Sequence, residues 1–153
     1  MKRVPWPFGP KAIAAVEPLP EQTLAVSWAD GSRSTISLAV WIESKGIHRL
    51  RNPELFAKAH VGEYGSTVAF LDDDLEIDSV HLQLLESEQR GAPLTPDGLR
   101  RWRERHGLTQ AQAARELGVS PRQWQNYESG ASFLPWTLAL ACAGWTAMRD
   151  RAA

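Results

Sequence analysis

The sequence predicts an α+β chain: a small N-terminal domain on an antiparallel sheet with short helices, then an all-α domain. Three observations carry this. Apolar residues alternate at period two in the first half, as in TLAVSW and STISLAV. Beyond residue 96 they recur three or four apart, as at Leu99 and Trp102 or Leu134 and Leu138. Between the patterns lies SEQRGAPLTP, residues 87–96, where Gly91, Pro93 and Pro96 break regular structure. One domain is expected over residues 1–90 and a second over 95–150.

AIAAVEPLP, residues 12–20, reads as a first strand ending at its prolines. In TLAVSW, Leu24, Val26 and Trp28 share one face. Asp30-Gly31 supplies a turn, and Ser34 to Trp41 resumes as a strand, so a hairpin is expected. NPELFAKAH reads as a short helix capped by Asn52, with Pro53 in its first turn. HVGEYG and STVAFLDDDLEIDS read as two further strands. SVHLQLLESEQ closes the domain as a helix, with Val80, Leu82, Leu84 and Leu85 available for packing.

The second domain reads as four helices. Thr95 caps the first and Pro96 opens it; Leu99 and Trp102 form its buried stripe, and Gly107 ends it. Thr109 caps the next, with Gln112 three residues on to complete a capping box. Ala113, Ala114 and Leu117 face inward, and Gly118 makes a tight turn that favours positive φ. Ser120 caps the third helix, Pro121 opens it, and Gln123 offers a second box. Val119, Trp124 and Tyr127 face its inner side. The tail LPWTLALACAGWTAMRD carries Leu134, Leu138, Ala141 and Trp145 at helical spacing, completing the core. Two capped helices joined by a short glycine turn is the layout of a helix-turn-helix.

Composition narrows the function classes. The chain has 153 residues, 43% apolar and 23% charged, which suits packed domains rather than a disordered tail. No apolar run reaches the ~18 residues of a membrane span. The start, MKRVPWPFGPKAIAAVEP, is too broken by prolines and Lys11 for a signal peptide, and Trp6 there is expected to be exposed. The other tryptophans are expected mostly in the core. The single cysteine, Cys142, reads as a small buried apolar residue. A cytoplasmic, bacterial style of protein is expected. The net charge of −1 hides an asymmetry. Residues 1–92 carry 9 Lys/Arg and 13 Asp/Glu, whereas residues 93–153 carry 8 Arg and 5 Asp/Glu. Arginine suits two-pronged contacts with phosphate and guanine.

Catalytic machinery is not legible. His48, His60, His81 and His106 show no metal-ligand spacing, and there is no Gly-x-Ser-x-Gly and no phosphate loop. Asp72, Asp73, Asp74, Glu76 and Asp78, with His81 beyond, cluster as candidate cation ligands. Their spacing is not that of a calcium loop; in an extended strand Asp72, Asp74, Glu76 and Asp78 would share one face, but Asp-Asp-Asp is also a common turn composition, and a solvated acidic surface is the preferred reading. No enzyme, metal or cofactor is expected.

Two resemblances follow from these residues. VEPLPEQTLAVSWADGSRSTISL and RNPELFAKAHVGEYGSTVAFLDDDLEID resemble the small domain of unknown function DUF2442, also described as NE0471 N-terminal domain-like, over about residues 12–84. That family implies an architecture and no activity. The series Leu99, Trp102, Arg103, Gly107-Leu108-Thr109-Gln110, Ala114, Leu117-Gly118-Val119-Ser120, Trp124, Tyr127-Glu128 and Gly130 resembles the Cro/CI, or XRE, family, with its lambda-repressor-like fold, over about residues 95–146. The resemblance implies roles by position. Arg103 pairs with Glu128. Gln110 contacts phosphate, Ser120, Arg122, Gln125 and Asn126 face DNA, and Ser129 contacts the backbone after the recognition helix. Pro121 departs from the pattern, standing where relatives often place a polar reader; it can touch a thymine methyl but donates no hydrogen bond. Chemically, Arg122 suits guanine and Gln125 or Asn126 adenine.

The expected function is therefore a non-enzymatic regulator that reads double-stranded DNA with helix 121–129. Exposed apolar area on the last helix offers a homodimer seam, since two heads would read half-sites about 10 bp apart. The rival is a protein-interaction module, antitoxin-like, whose N-terminal domain binds a partner protein.

Overall fold

A computed structural model describes residues 11–71 and 75–152. Trp6 and the acidic residues Asp72, Asp73 and Asp74 lie outside the described residues. The chain divides into two compact units, one ending at Glu86 and the other beginning at Ser87.

In the first unit β1 (Ile13–Leu19), β2 (Thr23–Trp28) and β3 (Arg33–Ser37) form an antiparallel sheet in chain order. The predicted alternation sets the buried face: Leu24, Val26 and Trp28 point into the core, with Leu24 opposite Ile36 and Val26 opposite Ser34. The buried indole of Trp28 donates to Ser34 Oγ at 2.7 Å, so its polar edge carries little desolvation penalty. The Asp30-Gly31 turn forms as expected, with Gly31 at φ 90°.

The strand predicted over Ser34 to Trp41 stops at Ser37, and Ala39–Lys45 is helix α1. Leu38, Trp41 and Ile42, all buried, stand at i, i+3 and i+4, so the period changes from two to 3.6 at Leu38. Asn52 caps α2 (Pro53–Phe56) as predicted, accepting from Glu54 N at 3.0 Å.

The second sheet orders β4 (His60–Val61), β5 (Thr67–Phe70) and β6 (Leu75–Asp78), all antiparallel. Two predictions are corrected here. HVGEYG is a strand only at His60–Val61; Glu63–Gly65 is a 3-10 turn, with Tyr64 and Gly65 both at positive φ. Glycine is required at position 65, where a Cβ would lie 2.6 Å from the Ile13 carbonyl oxygen. Within STVAFLDDDLEIDS the structure has two strands, not one, paired antiparallel with Phe70 opposite Leu75. Of the acids expected on one face from Asp72 to Asp78, the described ones are Glu76 and Asp78. Glu76 and Asp78 are the acids of β6, both exposed, and Asp78 Oδ1 accepts from His81 N at 2.7 Å at the start of α3 (Ser79–Gln89). Of the apolar residues expected to pack from α3, Leu82 is fully buried, while Val80, Leu84 and Leu85 are half-buried.

The second unit holds α4 (Pro96–Arg105), α5 (Gln110–Leu117), α6 (Pro121–Ser129) and α7 (Trp136–Ala152) around a separate core. Trp102, Trp124, Leu99, Ala113, Ala114 and Cys142 are buried at its centre. Burial pushes the Cys142 thiol up to about 12, which suits the inert packing role expected of it. Trp28, Trp41, Trp102 and Trp124 are core residues as predicted, while Trp136 and Trp145 are half-buried. No described helix is long and apolar enough to cross a membrane.

Candidate nucleic-acid interface

The caps fix where each helix of the second unit begins. Thr95 Oγ1 accepts from Gly98 N at 3.0 Å and Pro96 opens α4. Thr109 and Gln112 form the predicted box, with Thr109 Oγ1 accepting from Gln112 N at 3.1 Å and Gln112 Oε1 from Thr109 N at 2.9 Å. Gly118 takes the left-handed conformation at φ 73° and turns the chain into α6. The second predicted box is half made: Ser120 Oγ accepts from Gln123 N at 3.1 Å, so it is a single cap. Either form starts α6 at a fixed residue, which fixes the face each later side chain presents.

The inner face of α6 is Trp124, fully buried, with Tyr127 packed beside it. The rings of Trp102 and Trp124 lie 6.2 Å apart, and Trp145 and His106 meet Trp102 edge-on at 5.3 and 5.1 Å. Ala113 and Ala114 have no exposed surface, so helices cross at a point where a larger side chain would not fit.

Arg103 and Glu128 meet as the resemblance implied, and more groups converge there than the sequence suggested. Arg103 Nε and Nη2 donate to the two oxygens of Glu128 at 2.6 and 3.0 Å, a two-pronged pair. Trp124 Nε1 donates to the same carboxylate, and Gln110 Nε2 donates at 3.3 Å. Arg103 Nη1 also donates to the Leu108 carbonyl at 3.1 Å. The two charged side chains are 15% and 6% exposed, so the pair is largely desolvated. Burial by itself would raise the Glu128 carboxyl. The hydrogen bonds from Arg103, Trp124 and Gln110, with the charge of Arg103, outweigh it and hold the carboxyl below its ordinary value. One acid thus ties α4, the start of α5 and the end of α6 together.

The opposite face of α6 is open. Pro121, Arg122 and Gln125 are exposed and Asn126 is half-buried. Arg122 and Gln125 make no hydrogen bond or ion pair among the described residues. Ser120 is exposed with its hydroxyl engaged as the cap. Ser129 is exposed, and its hydroxyl bonds the Asn126 carbonyl at 3.2 Å and accepts from Ala131 N at 3.3 Å, closing the turn after α6. Gln110, half-buried, donates to Glu128 through its amide nitrogen, which leaves the amide oxygen and one N–H for other partners. All seven positions therefore lie on α6 or at the capped ends of α5 and α6.

Sequence reasoning missed three contacts. Arg101 grips Glu88 with two bonds of 2.9 and 2.6 Å, and Glu88 is buried. The partners stand thirteen residues apart across the Gly91–Pro93 break, where no helical spacing links them. Trp145 Nε1 donates to Glu116 at 3.0 Å. Thr146 Oγ1 accepts from Trp102 Nε1 at 2.9 Å and meets His106 Nε2 at 3.3 Å. Among the described residues no group of three or more His, Cys, Asp or Glu is placed to hold a metal ion.

The family model described as a helix-turn-helix domain matches residues 97–146. That match lies within the second unit. The crystal structure of a protein from Nitrosomonas europaea, NE0471, provisionally described as DNA binding, is 26% identical. The match covers 91% of this chain and 88% of that one, with a TM-score of 0.48. No curated protein matches. In the helix-turn-helix, α5 and α6 are the two motif helices and Gly118 is the turn between them.

Acid should loosen this domain in two stages. Burial, reinforced by the neighbouring charge of Arg105, lowers the proton affinity of His106 below its ordinary value of 6.5. The unfolded chain then takes up the proton first, so stability falls as pH drops below 6.5. Glu128 is held below its ordinary 4.5, so its contribution is present above that pH and is lost as pH falls through the lower, folded value. Thermal melts across pH should show both losses, and His106→Phe should remove the first alone. A melting curve flat from pH 7 to about 5 would contradict the neutral, packed imidazole.

Proposed function

We propose that this chain binds double-stranded DNA sequence-specifically as a transcriptional regulator of the Cro/CI (XRE) type, with α6 as the recognition helix. The observation that carries the reading is the two-sided character of α6. Its apolar residues, Trp124 and Tyr127, are locked inward, while Arg122 and Gln125 stand exposed with unengaged polar ends. The helix-turn-helix match over residues 97–146 supports the same assignment.

In this reading Arg122 donates two parallel hydrogen bonds to a guanine edge in the major groove. Gln125 or Asn126 reads adenine, and Pro121 touches a thymine methyl. Gln110 and the turn at Ser129 hold phosphates and carry no sequence information. Glu128 fixes the Gln110 amide relative to α6, so the phosphate contact and the base contacts share one rigid frame. No chemistry is performed on the DNA and no cofactor is needed; the protein acts in the cytoplasm, as a homodimer on paired half-sites.

Arg122→Ala should weaken the specific site by about 1–3 kcal/mol and relax one base position. Unchanged affinity, measured by fluorescence anisotropy on the selected site, would mean that α6 is not the reader. A second reading concerns the first unit, which we assign to the DUF2442 type and to partner-protein binding, as in an antitoxin. Tyr64 favours it: the ring is 95% exposed, on a residue held at φ 58°. Exposed aromatics on strained turns are apt anchors for a protein partner. A second polypeptide that co-purifies with the wild type and is lost with Tyr64→Ala would support this reading.

A further inference from the structure

We infer that the outer edge of β6 takes up an extended segment of a partner protein whose residues alternate apolar and basic. The segment adds a strand to the second sheet, in the cleft between β6 and α1. The inference rests on the partner-binding reading of the first unit, and names the surface and the chemistry of the segment it takes. Its observations are separate from DNA and from Tyr64.

β6 pairs with β5, and among the described residues no strand lies on its other side. A cleft of about 350 Å³ opens there, lined by Leu75, Glu76, Ile77 and Asp78, with Trp41 and Ile47 across from them. Successive side chains of a strand point to opposite faces. A cleft that touches all four residues of β6 therefore runs along the edge of the strand and not over one face. The register says which backbone groups this edge offers. Ser79 N donates to the Ser66 carbonyl at 2.9 Å, and Ile77 stands opposite Val68 in the same register. In an antiparallel ladder such pairs alternate, so Leu75 and Ile77 turn their N–H and C=O groups toward β5. Glu76 turns both of its own outward, and Asp78 its N–H.

The two sides of the edge differ. Ile77, buried, and Leu75, half-buried, face the core, where Trp41 of α1 and Ile47 just beyond it pack. Glu76 and Asp78 are exposed together on the other side. Asp78 holds the first turn of α3: Oδ1 accepts from His81 N at 2.7 Å, and Oδ2 meets His81 Nδ1 at 3.0 Å. Glu76 makes no hydrogen bond or ion pair among the described residues. A strand added here sets alternate side chains against the apolar wall and the others beside Glu76 and Asp78. Apolar residues suit the first set, and Lys or Arg the second. Lys45, exposed at the end of α1 and lining the same cleft, repels bases from the α1 side and confines them to the acidic one.

Charge also selects a partner over a second copy. Two β6 edges paired with each other would set Glu76 and Asp78 beside the same acids, and like charges opposite one another destabilise a strand pair. The acids discourage ordinary strands as well, which is how charged side chains guard a free edge. A basic segment is the one they favour. The strand residues of β6 span roughly 13 Å at ~3.3 Å each, so the contact is short. It lies well below the ~800 Å² per partner of a standard stable interface, and binding through this edge alone is weak.

Fluorescence anisotropy of a labelled (Val-Lys)3 peptide, titrated with the full chain, tests the edge. The wild type should bind it saturably in the micromolar range, and at least ~tenfold more tightly than (Val-Glu)3. N-methylation keeps the peptide's charge and blocks strand pairing. It should abolish binding when placed on the lysine amides if the segment runs antiparallel to β6, and on the valine amides if parallel. Glu76→Lys changes an exposed side chain that makes no bond, so the variant should melt as the wild type does and reverse the preference toward (Val-Glu)3. No saturable binding of (Val-Lys)3 overturns the inference, as does binding indifferent to both methylations or to Glu76→Lys. Self-association of the wild type that Glu76→Lys abolishes, seen by sedimentation velocity, overturns it in favour of a second copy. The two readings fail separately. A polypeptide that co-purifies with Glu76→Lys as with the wild type, while (Val-Lys)3 does not bind, leaves the partner reading and removes the edge. Binding of (Val-Lys)3 with no co-purifying polypeptide does the reverse.

Discussion

Glu128→Ala should cost the helix-turn-helix domain about 3–5 kcal/mol, the scale for removing one partner of a buried ion pair. The loss is large because the carboxylate answers four donors. Arg103 Nε and Nη2, Trp124 Nε1 and Gln110 Nε2 all converge on it. Without it the Arg103 guanidinium, only 15% exposed, keeps a charge with one remaining bond, to the Leu108 carbonyl. Stability of a small domain totals about 5–15 kcal/mol, so the variant should melt far below the wild type. Arg103→Ala in the Glu128→Ala background should cost much less than it does alone, because the two share one interaction. Additive losses in a double-mutant cycle, measured by urea denaturation, would show that the pair contributes nothing jointly.

Ala114→Trp should unfold the same domain. Ala114 has no exposed surface and faces the junction of α5 with the core formed by Trp102, Trp124 and Leu138. Overpacking by a few methylenes already costs about 1–3 kcal/mol, and an indole adds far more volume than that. Ala113 is equally buried, so Ala113→Trp is a second, independent trial of the same crossing. Arg115→Trp is the control, since that neighbouring position on α5 is exposed and the variant should fold. A cooperative melt near the wild-type temperature for Ala114→Trp would place the helix crossing elsewhere.

How much of this was legible in the sequence depends on how local the signal is. Caps and turns are written in three or four neighbouring residues, so Thr95, Asn52, the Thr109–Gln112 box and Gly118 could be read directly. The Arg103–Glu128 pair is not local, and it was found through the resemblance of a whole spaced series. The helix α1 was misread because an alternation that ran well through Ser37 hid the change of period at Leu38. The pairing of β5 with β6 was missed because STVAF and LEIDS, read together, continue one extended pattern. The Glu88–Arg101 pair, and the meeting of Trp102, His106 and Thr146, depend on how segments far apart in sequence pack. Nothing near any one of those residues announces its partner. The recognition face was readable for a simple reason: once Ser120 fixes the start of α6, the helical period decides which side chains point inward and which remain.

The most direct test of the DNA reading is selection of the purified full chain against a random double-stranded pool, sequenced at two salt concentrations. An enriched site is expected, with two half-sites about 10 bp apart and affinity that falls as salt rises. No enriched sequence, with only weak and salt-sensitive retention of DNA, would contradict sequence-specific reading by α6.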